Sequence, residues 1–252
     1  MKIDFPVPKQ GMELAGLWQE AFGDSMEFIE GFFCTGYSPS RCRCLTVDNK
    51  IAAALYWFEV TYAGQRFAYL YAVATARAHR GKGLCRKLMA DVHALLTKQG
   101  YDSVMLVPAD AALREMYRKM GYEDCTAIGE IHCSAGASPA AIRNVDAEEY
   151  AALRRKLLPE KSVLQEGSNL TFLAAQTQLL AGEDFLLSAW LEDSTLHGTE
   201  LLGNPDAAPG ILRALGCEKG SFQIPGKDKP YAMLHKLHDR AVMPKYFGFS
   251  FD

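Results

Sequence analysis

His79-Arg80-Gly81-Lys82-Gly83-Leu84-Cys85-Arg86-Lys87-Leu88 is the stretch that decides how this chain is read. It follows an apolar, strand-like run from Phe67 to Ala74. It opens a helix, Leu84 to about Gln99, whose residues Leu84, Leu88, Met89, Val92, Leu95 and Leu96 share one face. A glycine-containing turn from strand into helix leaves backbone N–H groups unpaired and convergent, and the helix dipole adds positive potential there. Glycine is needed where the backbone approaches an anion closely or takes positive φ. Arg80, Lys82, Arg86 and Lys87 add charge. The combination suits a pyrophosphate, although a basic surface loop with turn glycines has the same composition. A P-loop is excluded because Leu84 and Cys85 follow Gly83 where Lys-Ser/Thr would be required. A dinucleotide fingerprint is excluded because the position three after Gly83 is Arg86.

Outward from the loop, the pattern is ordered. Gln10 to Phe22 has helical spacing closed by Gly23, and Asp24-Ser25 caps a second helix through Phe28, Ile29, Phe32 and Phe33. Strands are expected at Arg41 to Val47, Ile51 to Tyr62 and Phe67 to Ala74, on tight turns at Asp48-Asn49-Lys50 and Ala63-Gly64-Gln65. Three strands on short turns form an antiparallel meander. After the loop and its helix, Ser103 to Val107 is a strand that runs parallel to its predecessor, because a helix separates them. A further helix, Ala111 to Met120, ends at Gly121, and Tyr122 to Cys133 holds one or two strands.

Composition narrows the function classes. The 252 residues are 49% hydrophobic and 23% charged, an ordinary globular chain with material for one large domain or two modest ones. Disorder, collagen and coiled coil are excluded. With 27 basic and 30 acidic residues the net charge is −3, which offers no footprint for nucleic acid or an anionic membrane. The longest apolar run, Ile51 to Phe58, is far short of the roughly 20 residues that span a bilayer. No apolar leader opens the chain, so Asn169-Leu170-Thr171 is discounted as a glycosylation acceptor. The seven cysteines include no Cys-x-x-Cys pair, and Cys42 and Cys44 read as buried thiols on one strand face; no metal is expected. A reduced, cytoplasmic protein is the expectation.

The loop, read as Arg80-Gly81-Lys82-Gly83-Leu84-Cys85, resembles the Gln/Arg-x-x-Gly-x-Gly/Ala signature of the GNAT superfamily of acyl-CoA N-acyltransferases. Met116-Tyr117-Arg118-Lys119-Met120-Gly121-Tyr122 is similar to that family's Leu-Tyr-x-x-x-Gly-Phe ending, and Val73-Ala74-Thr75 to the Val-x-Thr that precedes its loop. Element order agrees over roughly residues 10–130. Two departures stand out: Cys85 replaces a glycine or alanine, and Asp110 stands where many members have Asn.

The resemblance implies an α/β GNAT fold, a mixed central sheet with helices on both faces. It implies transfer of an acetyl group from acetyl-CoA, as cosubstrate, to a primary amine of a small molecule; a homodimer is left open. By position, the backbone of Val73, Ala74 and Thr75 would bind the pantetheine arm and polarise the thioester carbonyl. Amides from Arg80, Gly81, Lys82, Gly83, Leu84 and Cys85 would cradle the pyrophosphate. Tyr117 would protonate the departing thiolate; packing in the core is its other reading. Asp24, Glu27, Glu30, His79, Asp110 and a carboxylate at the chain end, Asp252, are candidate bases, none preferred. Trp18, Phe22, Phe28, Phe32, Phe33 and Tyr37 line either a pocket or the core. Cys85 is either a reactive thiol in the first helical turn or an apolar filler. A CoA-binding sensor without turnover is the alternative function.

Ser134 to Pro139, small and flexible in composition, is the expected linker between a domain at 1–134 and a second, smaller α/β domain at 140–252 without its own CoA site. Helices are expected there at Ala147 to Leu158 and Ala207 to Leu215, and strands at Tyr231 to Leu237 and Tyr246 to Phe251. Met120-Gly121-Tyr122 is echoed by Leu215-Gly216-Cys217, which marks either a chance C-cap match or a degenerate repeat of the first domain.

Overall fold

The computed structural model describes residues 1–251. The chain forms two units: Met1–Glu123 with Leu234–Val242, and Asp124–Met233 with the residues from Met243 on. The first half runs β1 (Lys2–Asp4), α1 (Gly11–Phe22), α2 (Met26–Thr35), β2 (Cys42–Val47), β3 (Lys50–Tyr62), β4 (Gln65–Thr75), α3 (Leu84–Lys98), β5 (Ser103–Leu106), α4 (Ala111–Arg118) and β6 (Glu123–Asp124). The strands β2, β3 and β4 are antiparallel, and β4 and β5 are parallel, because α3 carries the chain back along the sheet. The β2–β3 turn places Asp48 and Asn49 at φ 49° and 63°, the left-handed pair that such a two-residue hairpin needs. Ser25 caps α2 through the Phe28 amide, and Gly23 closes α1 at φ 81°.

The second half continues as β7 (Ala127–Ser134), β8 (Arg143–Asn144), α5 (Ala147–Leu157), α6 (Ser168–Gln176), β9 (Gln178–Ala181), β10 (Phe185–Glu192), β11 (Thr195–Gly203), α7 (Ala208–Leu215), β12 (Lys219–Pro225), β13 (Lys229–Pro230) and β14 (Met233–Lys236). The first sheet has the order β1-β2-β3-β4-β5-β14-β6 and the second β13-β7-β12-β11-β10-β9-β8. From β8 to β12 the second half repeats the first: strand, two helices, an antiparallel meander, a helix, then a strand parallel to its predecessor. The repeat is therefore in the topology, but not in the register the helix ends suggested. The helix α7 lies between β11 and β12, as α3 lies between β4 and β5, so its likeness to the end of α4 is a match of C-caps alone.

Each sheet is completed by a strand from the other half of the sequence. The strand β7 forms a seven-residue antiparallel ladder with β12, from Lys219↔Ser134 to Pro225↔Ile128, while β14 stands beside β5. The division consequently falls at Glu123/Asp124, ahead of the expected linker. That segment is small for a different reason: Gly136 and Ala140 donate to the Pro209 and Gly210 carbonyls, and a Cβ on Gly136 would lie 3.2 Å from Pro209. Close backbone approach to α7, not flexibility, selects its composition. The expected strand at Tyr246 to Phe251 is likewise absent as a ladder, with only a Ser162–Tyr246 bridge. Leu170 to Leu180 is a helix and a strand in succession, α6 and β9.

Candidate active site

The meander does not end regularly. Between Ala54↔Ala74 and Tyr56↔Tyr71 the ladder gains one residue on β4, and Ala72 takes φ 48°. A non-glycine residue in that region is a local strain that the bulge imposes. Pairing of β4 with β5 stops before the bulge, at Tyr69↔Met105. Beyond it the Ala76 N–H donates to the Ala52 carbonyl on the β3 side (2.9 Å). Strand alternation therefore turns the backbone groups of Val73 and Thr75 the other way, toward the side β5 has left. An extended edge of polar backbone is thus exposed inside a sheet, where a ligand can pair with it.

At the end of this edge lies the glycine loop. Gly81 and Gly83 both adopt the left-handed conformation, at φ 74° and 73°, and a Cβ built on either meets nothing within 4 Å. Neither glycine is there to avoid a clash in the protein; the backbone conformation requires it. No side chain caps α3, so its first-turn amides remain available. The basic side chains fold back onto the loop: Arg80 Nε donates to the Thr75 carbonyl (3.0 Å) and Lys82 Nζ to the Ala78 carbonyl (2.8 Å). They brace the loop, which leaves its outward polarity to backbone N–H groups.

The Tyr117 side chain is buried in the last turn of α4, and its ring meets that of Tyr122 edge-on at 5.7 Å. Tyr122 is enclosed; burial, then Tyr117 and Cys85 beside it, push its phenol well above the ordinary tyrosine value. Tyr122 therefore links the end of α4 to the first turn of α3. Burial pushes the half-buried Cys85 thiol up to about 11, which argues for the filler reading and against the reactive thiolate. The helix terminus does not compensate for loss of water around the sulfur.

The other named residues separate. Asp110 caps α4 through the Leu113 amide (2.7 Å), and Asp24 accepts from Trp18 Nε1 (2.7 Å). Glu27 and Glu30 are exposed on α2, His79 is half-buried, and Asp252 lies outside the described residues. Trp18 and Phe32 are core, with Tyr56 and Tyr71 at ring distances of 5.1–5.6 Å, whereas Phe22 is exposed. Sequence reasoning missed His93 and His235. His93 flanks the apolar stripe of α3 next to Val92, a detectable signal, but His235 comes from β14 and nothing local announces it.

A cleft of about 620 Å³ opens in the second unit, lined by Cys125, Pro159, Lys227, Lys245 and Tyr246 among others. None of its lining residues belongs to the β4–α3 region; a second cleft, of about 450 Å³, lies beside the end of β4 and is lined by Glu13, Leu17, Glu20, Lys50, Ile51 and Ala76. Among the described residues no group of three or more His, Cys, Asp or Glu is placed to hold a metal ion, and no helix is long and apolar enough to cross a membrane.

A parallel pair that parts, an exposed strand edge and a left-handed glycine loop leading into an uncapped helix meet at one end of β4, the arrangement that the resemblance to acyl-CoA N-acyltransferases implies. Residues 9–125 match the acetyltransferase (GNAT) domain. No curated protein sequence matches the chain. Solved structures similar to it include a GCN5-related N-acetyltransferase from Anabaena variabilis ATCC 29413, with TM-score 0.70 at 14% identity over 94% of this chain and 73% of that one. Another, from Kribbella flavida, has TM-score 0.68 at 17% identity over 94% and 72%. A third, from Sphaerobacter thermophilus, has 0.60 at 11% over 97% and 98%. At these identities the likeness is one of fold, and it extends over both halves.

Proposed function

We propose that this protein is an N-acetyltransferase that moves an acetyl group from acetyl-CoA to a primary amine of a small molecule. The observation that carries the reading is the coincidence of the β4 bulge, the edge at Val73 and Thr75 that β5 has left, and the Gly81/Gly83 loop at one end of one strand. Backbone groups of Val73 and Thr75 hold the pantetheine arm while Ala74, paired with Ala54, keeps the strand on β3, and an N–H of that edge polarises the thioester carbonyl. Amides from Arg80 through Cys85 take the pyrophosphate. Acetyl-CoA supplies the activated thioester; the amine nitrogen bonds to the carbonyl carbon as the carbon–sulfur bond breaks. Tyr117 Oη gives its proton to the departing thiolate. A phenol of pKa about 10 transfers a proton to the conjugate base of a thiol of about 8.5 only slightly uphill. The acceptor attacks as the free amine, the form of about one molecule in 2,500 at pH 7 for a pKa near 10.4, and the proton its nitrogen sheds on acylation passes to water, from which the Tyr117 phenolate is reprotonated.

The second half, in this reading, binds no CoA. Its β11 carries the same extra residue, Thr199, and its pairing with β12 stops at Gly198↔Phe222. The gap is filled from within: Gly248 accepts from Gln223 of β12 and donates to Gln165, and Tyr246 Oη donates to Glu200 of β11 (3.0 Å). The turn into α7 holds Pro205 and Asp206, which bring one amide fewer and a negative charge to a would-be phosphate site.

Thiol release from acetyl-CoA across a panel of primary amines tests the proposal, with Tyr117→Phe as control. Tight CoA binding with no amine-dependent release would establish a sensor in its place.

A further inference from the structure

The hydroxyl of Tyr122 has no part in the reaction above, and the family ending it resembles closes on phenylalanine. We propose that His93 and Tyr122 form a positioning pair that fixes Tyr117 for proton transfer, an inference that rests on the reading of Tyr117 as the acid. His93 Nε2 lies 2.7 Å from Tyr122 Oη, inside an enclosure where an unpaired hydroxyl is costly. The Tyr122 phenol keeps its proton and donates; burial, then the neighbouring His235, push His93 down to about 4, so its ring is the neutral acceptor that bond needs. Bonded in this way, the Tyr122 ring cannot rotate away from the edge-on contact with Tyr117.

The backbone between the two tyrosines is held as well. Gly121 turns the chain at φ 86°, and the Tyr122 N–H donates to the Tyr117 carbonyl (3.2 Å). His235 Nδ1 lies 2.9 Å from the Gly121 carbonyl, which can only accept, so that nitrogen carries the hydrogen. The His235 ring stacks on His93 at 4.3 Å and 14°. The titratable groups facing Tyr122 are thus Cys85 and His93 from α3, Tyr117 from α4 and His235 from β14. Together they clamp the phenol and the turn that present Tyr117. A general acid displaced by a fraction of an ångström loses much of its effect, whereas cofactor binding at β4 and the loop is untouched.

The test follows thiol release from acetyl-CoA, with the fastest amine of the panel as acceptor and water as the acceptor for the basal rate. Tyr122→Phe and His93→Leu should each lower kcat about tenfold with KM for acetyl-CoA unchanged. Their double variant should be no slower than either alone, because both remove one bond. His93→Gln, which keeps an acceptor, should restore most of the rate. In a Tyr117→Phe background, Tyr122→Phe should have no further effect on kcat. Wild-type kcat in Tyr122→Phe, or the same fall with and without Tyr117, overturns the pairing while the acid reading stands. Wild-type kcat in Tyr117→Phe removes the acid reading, and this proposal with it. If His93→Leu does not fold, the Tyr122→Phe and Tyr117→Phe/Tyr122→Phe pair decides alone, with thermal melting confirming that both are folded.

Discussion

Glu200→Gln should destabilise the second unit far more than an isosteric exchange normally does. Glu200 is fully buried on β11, and its two oxygens receive Arg154 Nε (2.6 Å) and a second guanidinium nitrogen (2.9 Å), besides the hydroxyls of Tyr246 (3.0 Å) and Tyr150 (3.4 Å). The Arg154 side chain is 3% exposed. Burial opposes its charge, but the Glu200 carboxylate outweighs this and holds the guanidinium above its ordinary pKa. An amide in that place keeps the volume, removes the charge and points one NH₂ at a guanidinium donor. Breaking a buried pair on one side costs about 3–5 kcal/mol, because the remaining charge then faces neutral groups alone, here Gln165 Oε1 (3.3 Å) and the Phe249 ring. At about 2–4 °C per kcal/mol for a chain of this size, the transition should fall by roughly 6–20 °C. Urea unfolding should show the same loss as a lower midpoint at unchanged m. Replacing both partners by apolar residues, Arg154→Met with Glu200→Leu, should recover most of it. A loss below about 1 kcal/mol in Glu200→Gln would show that Arg154 is solvated, and would refute the account of a charge-paired core beneath the C-terminal segment.

Tyr117→Phe keeps the ring and should leave melting within about 2 °C, while turnover falls at least tenfold, in the range of about 10²–10⁴ for a positioned acid. Gly83→Ala, forced to hold φ 73°, should cost about 1–2 kcal/mol and weaken CoA binding by tenfold or more, read by calorimetry. Cys85 should resist iodoacetamide at pH 8, since a thiol raised to about 11 is about one part in a thousand thiolate; rapid labelling seen by mass spectrometry would contradict its burial. His93 is lowered from 6.5 to about 4, so below pH 6.5 the unfolded chain binds a proton that the folded one refuses. Its contribution is complete above pH 6.5 and is lost as pH falls toward 4, on the order of 3 kcal/mol; His93→Gln should flatten that part of the stability profile.

The meander, the glycine loop, the amphipathic helix after it and the tyrosine helix were legible in the sequence, because each follows from local periodicity, a cap or a turn. The Asp48-Asn49 hairpin and the closing glycines Gly23 and Gly121 were found for the same reason: their backbone conformations are chosen by one or two residues. The fate of Cys85 was not legible. Helix position argues for a lowered pKa, and only the packing around α3 shows that lost water overrides it.

What the sequence determined by itself is therefore the order of elements and the glycine loop that opens α3, features encoded within a dozen or so neighbouring residues. The tertiary structure decided the rest. It moved β7 into one sheet and β14 into the other, placed His235 against His93, and closed the gap of the second sheet with Tyr246–Phe249. Each of these joins residues far apart in the chain, where strand edges and buried polar groups find partners by geometry and no local pattern names the partner.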